Sequence, residues 1–381
     1  MRDIVILGST GSIGVQALEV VAANPELFRV IGLSAGSGNH ALLAEQAKKF
    51  RVPVIGTSAK EFTSDSPAGV SVICGQQASP EIASMSADIV LNGITGSIGL
   101  ASTLSALAAG NIVALANKES LVAGGDLVTK FGRDRLIPVD SEHCAIFQAM
   151  LAGKRAEISK LVITASGGAF RDRTDLENVT IDDALAHPTW SMGPVVTINS
   201  ATLVNKGLEI IEAHYLFDIP YSQIEAVIHP QSVVHSMVEF VDGSTIAQAS
   251  PPNMKGPIAY ALSYPQRIAR AGTPIDWTKS NTWEFRPIDN IRFPAVALAR
   301  KVGEFGRGMP AIYNAANESA VNAFLSERIG FSSILRVLSK TVEKFESSSL
   351  SEIRDLSDVS ALEQDTHQVA EEIIKKEESA A

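Results

Sequence analysis

Over its first third the sequence alternates short apolar strands with helical stretches, and that alternation leaves few folds open. Strands are expected at Ile4 to Leu7, Arg29 to Ser34, Asp88 to Asn92, Asn111 to Leu115 and Leu136 to Asp140. Helical patterns lie between them, as at Ile13 to Ala23 and Ala41 to Phe50. Strand, crossover helix and strand build a parallel sheet, which collects its ligands at the carboxyl ends of the strands.

The first strand runs straight into Gly8-Ser9-Thr10-Gly11-Ser12-Ile13-Gly14 and a helix. Glycines there permit a tight turn and let backbone amides approach a pyrophosphate at the positive helix end. The GxxGxxG spacing also suits a turn that binds nothing, but its place at the first strand–helix junction favours a dinucleotide. At the end of the second strand an NAD site usually carries an acidic residue. Here the chain reads Gly36-Ser37-Gly38-Asn39 without one, which suits the 2′-phosphate of NADP. The fold class expected is therefore α/β, opening with a Rossmann-like NADP-binding domain over residues 1–144.

Beyond Met150 the pattern changes. Strands are expected at Lys160 to Thr164, Val195 to Asn199 and Ala226 to His229. A helix is expected from Thr202 to Leu216, and a hairpin pairs Ser236–Val241 with Thr245–Ala249 around Asp242-Gly243-Ser244. This reads as an α+β catalytic domain over residues 145–264. Residues 265–294 look like a connector, and residues 295–381 like a C-terminal helical bundle in which Asn314 to Glu318 open a polar-faced helix.

A chain of 381 residues with 45% hydrophobic content is long enough for two or three real cores. Its net charge of -10 argues against nucleic acid or an anionic membrane as partner, and leaves a phosphorylated small molecule open. Cys74 and Cys144 have no metal or disulfide spacing. The chain begins at once with a strand, and no apolar run long enough to span a bilayer follows, so a soluble cytoplasmic protein is expected.

Oxygen donors recur where ligands should gather. Asp140 and Glu142 follow an apolar strand, and two residues apart in an extended segment they point the same way. Glu209 shares a helix face with Asn205 and Lys206. Three carboxylates without a thiolate suit Mg²⁺ or Mn²⁺. Taken singly, the first two also suit a helix cap or first turn, and Glu209 a solvated face. The start of that helix, at Ser200, offers amides to an anion, with Lys206 one to two turns on. Ser166, in Ala165-Ser166-Gly167-Gly168, adds a hydroxyl donor or simply makes a turn.

These segments stand together with Asn117-Lys118-Glu119-Ser120, Pro138 to His143, His187-Pro188-Thr189-Trp190-Ser191-Met192-Gly193 and His229 to Val233. In that order the chain resembles the 1-deoxy-D-xylulose 5-phosphate reductoisomerase family over essentially its whole length. The resemblance implies a homodimeric enzyme of non-mevalonate isoprenoid synthesis that uses NADPH and a divalent metal on a small sugar phosphate. It implies Asp140, Glu142 and Glu209 as metal ligands, with Lys118, Glu142 and Glu209 as catalytic residues. Substrate contacts would be Lys118, Ser141, Glu142, Ser166, His187, Trp190, Ser200, Asn205, Lys206 and Glu209, with residues 187–193 as a closing loop. Cofactor contacts would be Thr10, Gly11, Ser12, Ile13, Gly36, Ser37, Asn39, Asn117, Glu119 and Gly193. The chain departs from the family in lacking a basic residue near Ser37 and in Asn92-Gly93-Ile94-Thr95-Gly96. The alternatives are another NADP-linked dehydrogenase that needs no metal and a non-catalytic NADP-sensing regulator. His229 is expected on the active-site floor or as a buried structural group, and His40, His214 and His235 as structural.

Overall fold

A computed structural model describes residues 1–66, 68–269, 271–348, 350 and 352–379. One residue of the expected connector, 270, and residues 349, 351, 380 and 381 of the C-terminal stretch therefore lie outside the described residues. The chain forms two compact units. The first comprises residues 1–120, 128–144 and 253–274, and the second the remainder.

The chain opens with β1 (Arg2–Leu7), α1 (Ser12–Ala23), β2 (Phe28–Ala35) and α2 (His40–Phe50). Next come β3 (Val54–Thr57), β4 (Ser71–Cys74), α3 (Ala78–Ala83), β5 (Ile89–Asn92) and α4 (Gly99–Ala108). Then follow β6 (Ile112–Leu115), α5 (Glu119–Thr129), β7 (Leu136–Pro138) and α6 (Ser141–Ala149). The seven strands make one sheet in the order β4-β3-β2-β1-β5-β6-β7, and every pairing is parallel. Ile4, Val5, Ile6 and Leu7 are fully buried, as a parallel strand covered on both faces requires. The order reverses between β1 and β5, so the crevice outside their carboxyl ends is the expected ligand position. The edge pair β3 and β4 had no clear signature in the sequence, being only four residues each.

The second unit carries β8 (Ile158–Ala165), α7 (Ile181–Leu185), α8 (Pro194–Ala201), α9 (Val204–Phe217), β9 (Ile224–Ile228), β10 (Val234–Phe240) and β11 (Thr245–Ala249). After α10 (Lys255–Ser263), which belongs to the first unit, it resumes with β12 (Arg286–Pro287). It ends in α11 (Ala295–Phe305), α12 (Met309–Leu325), α13 (Phe331–Glu346) and α14 (Leu356–Glu378). Its sheet runs β11-β10-β8-β9-β12, with β8 and β9 parallel and the other pairs antiparallel. The expected hairpin is β10–β11.

Three expectations are corrected. Val195 to Asn199 lie in α8, not in a strand. Pro194 at the first helical turn fixes the helix start, and burial of Thr197, Ile198 and Asn199 outweighs the β-branched run. Ser200 lies in the last turn of α8 rather than opening the next helix, because Leu203 turns left-handed (φ 58°) and α9 starts afresh at Val204. Asn314 and Asn317 lie buried within α12, which begins at Met309, so they mark no polar face.

The helices after α11 do more than form a tail. Phe324, Phe331, Ile334 and Ile373 share a core with Phe170, Ala184 and Ile198, the residues around α7 and α8. Asn317 on α12 donates to the Asn199 side chain on α8 at 2.9 Å. Among the described residues, no helix is long and apolar enough to cross a membrane.

Candidate active site

In the first unit the glycine turn joins β1 to α1. Gly8 has φ +73°, and a Cβ there would meet the carbonyl oxygen of Gly93 at 2.7 Å. A Cβ on Gly14 would meet the Gly8 oxygen at 2.3 Å, so glycine is obligatory at both positions. Ser9 beneath the turn is tied to Gln46 by two bonds of 2.8 and 2.9 Å, which leaves Thr10, Gly11, Ser12 and Ile13 to form its outer rim. Gly36, Ser37 and Asn39 are exposed beyond β2. The Asn39 side chain caps α2 by accepting from the Leu42 amide at 3.1 Å. Thr57 donates to the Gly36 carbonyl at 3.1 Å, and His40 binds Thr57 at 2.9 Å, so His40 is structural as expected.

Asn117 has a task the sequence did not reveal. Its amide donates to Ile94 O (2.7 Å), Gly96 O (2.8 Å) and Glu119 Oε2 (2.8 Å), which buckles the divergent 92–97 segment to the end of β6. Gly193 caps α8 and belongs to the second unit.

Asp140 stands two residues beyond the carboxyl end of β7 and caps α6. It accepts from the Glu142 amide at 3.2 Å, so Glu142 lies in the first turn of a helix and is not two residues along an extended segment. Lys118 Nζ lies 2.7 Å from Asp140 Oδ2, and both side chains are only 12% exposed. Fully buried His143 places Nδ1 3.2 Å from the other carboxylate oxygen. Burial pushes the Asp140 carboxyl up, but the Lys118 charge and the His143 bond outweigh it and hold it well below the usual carboxylate range. Ser141 donates to the Glu142 carboxylate. His143 was missed in the sequence, although its place three residues after Asp140 is the spacing of neighbours on a helix.

In the second unit, β8 ends at Ala165, and the chain turns through Ser166, Gly167 (φ +87°) and Gly168 (φ +67°). A Cβ on Gly168 would meet Ser200 O at 2.5 Å, so glycine lets this turn reach the end of α8. His187 Nδ1 accepts from the amides of Thr189 (3.1 Å) and Trp190 (2.8 Å). Its proton is therefore on Nε2, which lies 3.0 Å from Ser166 Oγ and donates to it. The Gly168 amide donates to the same oxygen at 3.2 Å. With two bonds accepted, the Ser166 hydroxyl keeps its own proton for an outside acceptor. Burial, reinforced by the Arg171 charge, holds His187 below the usual imidazole value. Trp190 lies half-buried, its ring 6.2 Å from that of His235.

One turn into α9, Asn205 and Lys206 both donate to the Glu209 carboxylate. Lys206 is 3% and Glu209 1% exposed, so this is no solvated face. A buried carboxylate needs such cationic or metallic compensation. The structure thus gathers Lys118, Asp140, Ser141 and Glu142 in one unit. In the other it pairs Ser166 with His187, brings the turn after Ser166 against Ser200 at the end of α8, and joins Asn205 and Lys206 to Glu209. All the acidic donors are oxygens, which fits a hard divalent cation and no soft one. His229 is structural: Nδ1 lies 2.8 Å from Glu284 O, Nε2 accepts two amides at 3.1 Å, and the ring stacks on Phe285 at 4.6 Å.

Residues 4–125 match the family model described as 1-deoxy-D-xylulose 5-phosphate reductoisomerase. Residues 136–217 and 249–369 match two models of that enzyme's C-terminal domains. The 1-deoxy-D-xylulose 5-phosphate reductoisomerase of Streptomyces avermitilis is 54% identical over 353 residues, covering 89% of this chain and 90% of the relative. The one from Kitasatospora griseola is 57% identical over 351 residues, covering 89% and 91%. A crystal structure of DOX-P reductoisomerase with NADPH, fosmidomycin and magnesium superposes with a TM-score of 0.92 at 38% identity, covering 98% of each chain. The Zymomonas mobilis enzyme with NADPH gives 0.89 at 38% identity, covering 98% and 99%.

Proposed function

Since this chain belongs to the 1-deoxy-D-xylulose 5-phosphate reductoisomerase family, we propose that the residues above carry out that family's reaction. The chain isomerises and reduces 1-deoxy-D-xylulose 5-phosphate to 2-C-methyl-D-erythritol 4-phosphate in isoprenoid synthesis, with NADPH and a divalent metal. Residues 1–144 serve as the NADPH-binding domain and residues 145–264 as the catalytic and dimerisation domain. Residues 265–294 connect them to a helical domain, 295–381, and the enzyme works as a cytoplasmic homodimer.

The observation that carries the site assignment is the proton inventory around Ser166. Its hydroxyl accepts from His187 and Gly168 and so presents a donor, which a phosphate oxygen accepts. Ser200, Asn205 and the Lys206 ammonium complete the phosphate end. Asp140, Glu142 and Glu209 would hold the cation, all of them carboxylates. When bound, that cation supplies Lewis acidity at the ketone and its neighbouring hydroxyl, and NADPH supplies the hydride.

The protein's own part is binding, orientation and proton placement. Lys118, fixed by Asp140, offers an ammonium proton to the substrate oxygen that gains negative charge. Ser141 orients the Glu142 carboxylate. Trp190 covers the substrate and excludes water once the 187–193 loop closes. The glycine rim at Thr10 to Ile13, with Gly36, Ser37, Asn39, Asn117, Glu119 and Gly193, holds the cofactor. The test is NADPH oxidation on adding 1-deoxy-D-xylulose 5-phosphate, with Mg²⁺ or Mn²⁺ and again with a chelator. Substrate-dependent oxidation that the chelator abolishes and added metal restores is expected. Oxidation indifferent to the chelator would refute the metal assignment.

A further inference from the structure

Behind the Ser166 turn lies a charged side chain to which the reading above gives no role. Arg171 Nη1 donates to the Ser166 carbonyl at 2.9 Å, and the arginine stem packs where a Gly167 Cβ would stand, 2.9 Å away. The arginine is itself held in place. Asp172 pairs with Arg171 Nε at 3.0 Å and with Arg286 at 2.8 Å. Arg292 bonds the Phe170 carbonyl at 2.9 Å and the Arg171 carbonyl at 3.3 Å. Together Arg171, Asp172, Arg286 and Arg292 line a cavity of about 320 Å³.

We propose that Arg171 is a positioning residue for the substrate's phosphate, fixing the Ser166–Gly168 turn and the His187 ring that donates to it. This rests on the assignment of Ser166 and His187 to the phosphate end. Two actions are separable. The hydrogen bond to Ser166 O sets the turn, and the positive charge disfavours a second proton on His187, which must stay neutral to accept the Thr189 and Trp190 amides. After burial, the Arg171 charge is the second cause that lowers the His187 ring from its usual value. On the neighbouring elements, Asp183 of α7 pairs with Arg173, and Lys206 of α9 with Glu209.

The experiment compares Arg171→Met and Arg171→Lys with the unaltered full-length enzyme. It measures KM for the sugar phosphate against pH, the Kd of NADPH by fluorescence, and the His187 ring titration by NMR, assigned with His187→Gln. In Arg171→Met, KM should rise about tenfold, as expected for one lost charge-assisted hydrogen bond, with NADPH binding unchanged. Its His187 should titrate at higher pH and carry the acid limb of kcat/KM with it. Arg171→Lys keeps the charge, so it should leave that limb in place while still raising KM. An unchanged KM in both variants overturns the proposal, and so does a parallel loss of NADPH binding. A His187 titration that ignores Arg171→Met overturns it without any substrate. Absence of turnover in the unaltered enzyme would instead count against the assigned reaction, while the NMR titration still decides the role of Arg171.

Discussion

Glu209 is nearly sealed from solvent and is charge-compensated by Lys206, with Asn205 on its other oxygen. An amide in its place keeps the shape and the Asn205 contact but surrenders the negative charge. Glu209→Gln should therefore leave NADPH binding nearly intact while lowering metal-dependent turnover on the order of 10²-fold or more. Unaltered turnover would remove Glu209 from the metal site. Gly14→Ala is the corresponding test of the cofactor turn. Its Cβ would stand 2.3 Å from a backbone oxygen that has no rotamer to escape into. The expected cost is about 1–3 kcal/mol of stability, with weakened NADPH binding. Calorimetry and fluorescence titration would show both, and an unshifted Tm would mean that the turn relaxes freely. Residue identities at this scale were mostly legible, because glycine, carboxylate and lysine carry their chemistry wherever they stand. What the sequence hid were the partners: His143 on Asp140, Asn117 on the 92–97 segment and Arg171 on Ser166 all depend on the folded path.

At the scale of elements, the loop from His187 to Gly193 is held at its base by one imidazole that accepts two amides. Its protonation would remove that acceptor. Because burial and Arg171 depress the folded-state value, the open loop takes up the proton first. The loop's order is then fully present above about pH 6.5, the unperturbed imidazole value, and declines as the pH falls from there toward the depressed one. Fluorescence of Trp190, isolated by difference from Trp190→Phe, should change below that pH and do so no longer in His187→Gln. A pH-independent signal in the unaltered protein would contradict this.

The helix that follows, α8, looks like a strand in sequence because Val195, Val196, Thr197 and Ile198 are β-formers. Pro194 and packing against the C-terminal helices decided otherwise. Asn199→Ala would leave the buried Asn317 amide without its acceptor. A loss of about 1–3 kcal/mol in urea unfolding is expected, and an unchanged midpoint would show that the pair contributes nothing. The parallel strands β1, β2, β5, β6 and β7, by contrast, were visible as apolar runs, since burial on both faces writes itself into composition.

At the scale of the whole molecule, the first unit is discontinuous. The α10 helix returns to α1, β6 and β7, and Arg2 donates to Leu262 O at 3.1 Å and to Tyr264 O at 2.9 Å. Contacts across some 260 positions leave no local pattern, so residues 253–264 read from sequence as part of the preceding α+β stretch. The glycine turn, the strand-end carboxylates and the α9 cluster needed no such long-range knowledge. Their order along the chain carried the family resemblance that the comparisons bear out. The proposed reaction both rearranges a carbon skeleton and reduces the result on one chain, which a simple dehydrogenase does not do. The most direct test is mass and NMR analysis of the product made from 1-deoxy-D-xylulose 5-phosphate with Mg²⁺ and deuterium-labelled NADPH. The expected product is branched 2-C-methyl-D-erythritol 4-phosphate carrying one deuterium on the carbon that was the aldehyde. An unbranched, merely reduced sugar phosphate would contradict it.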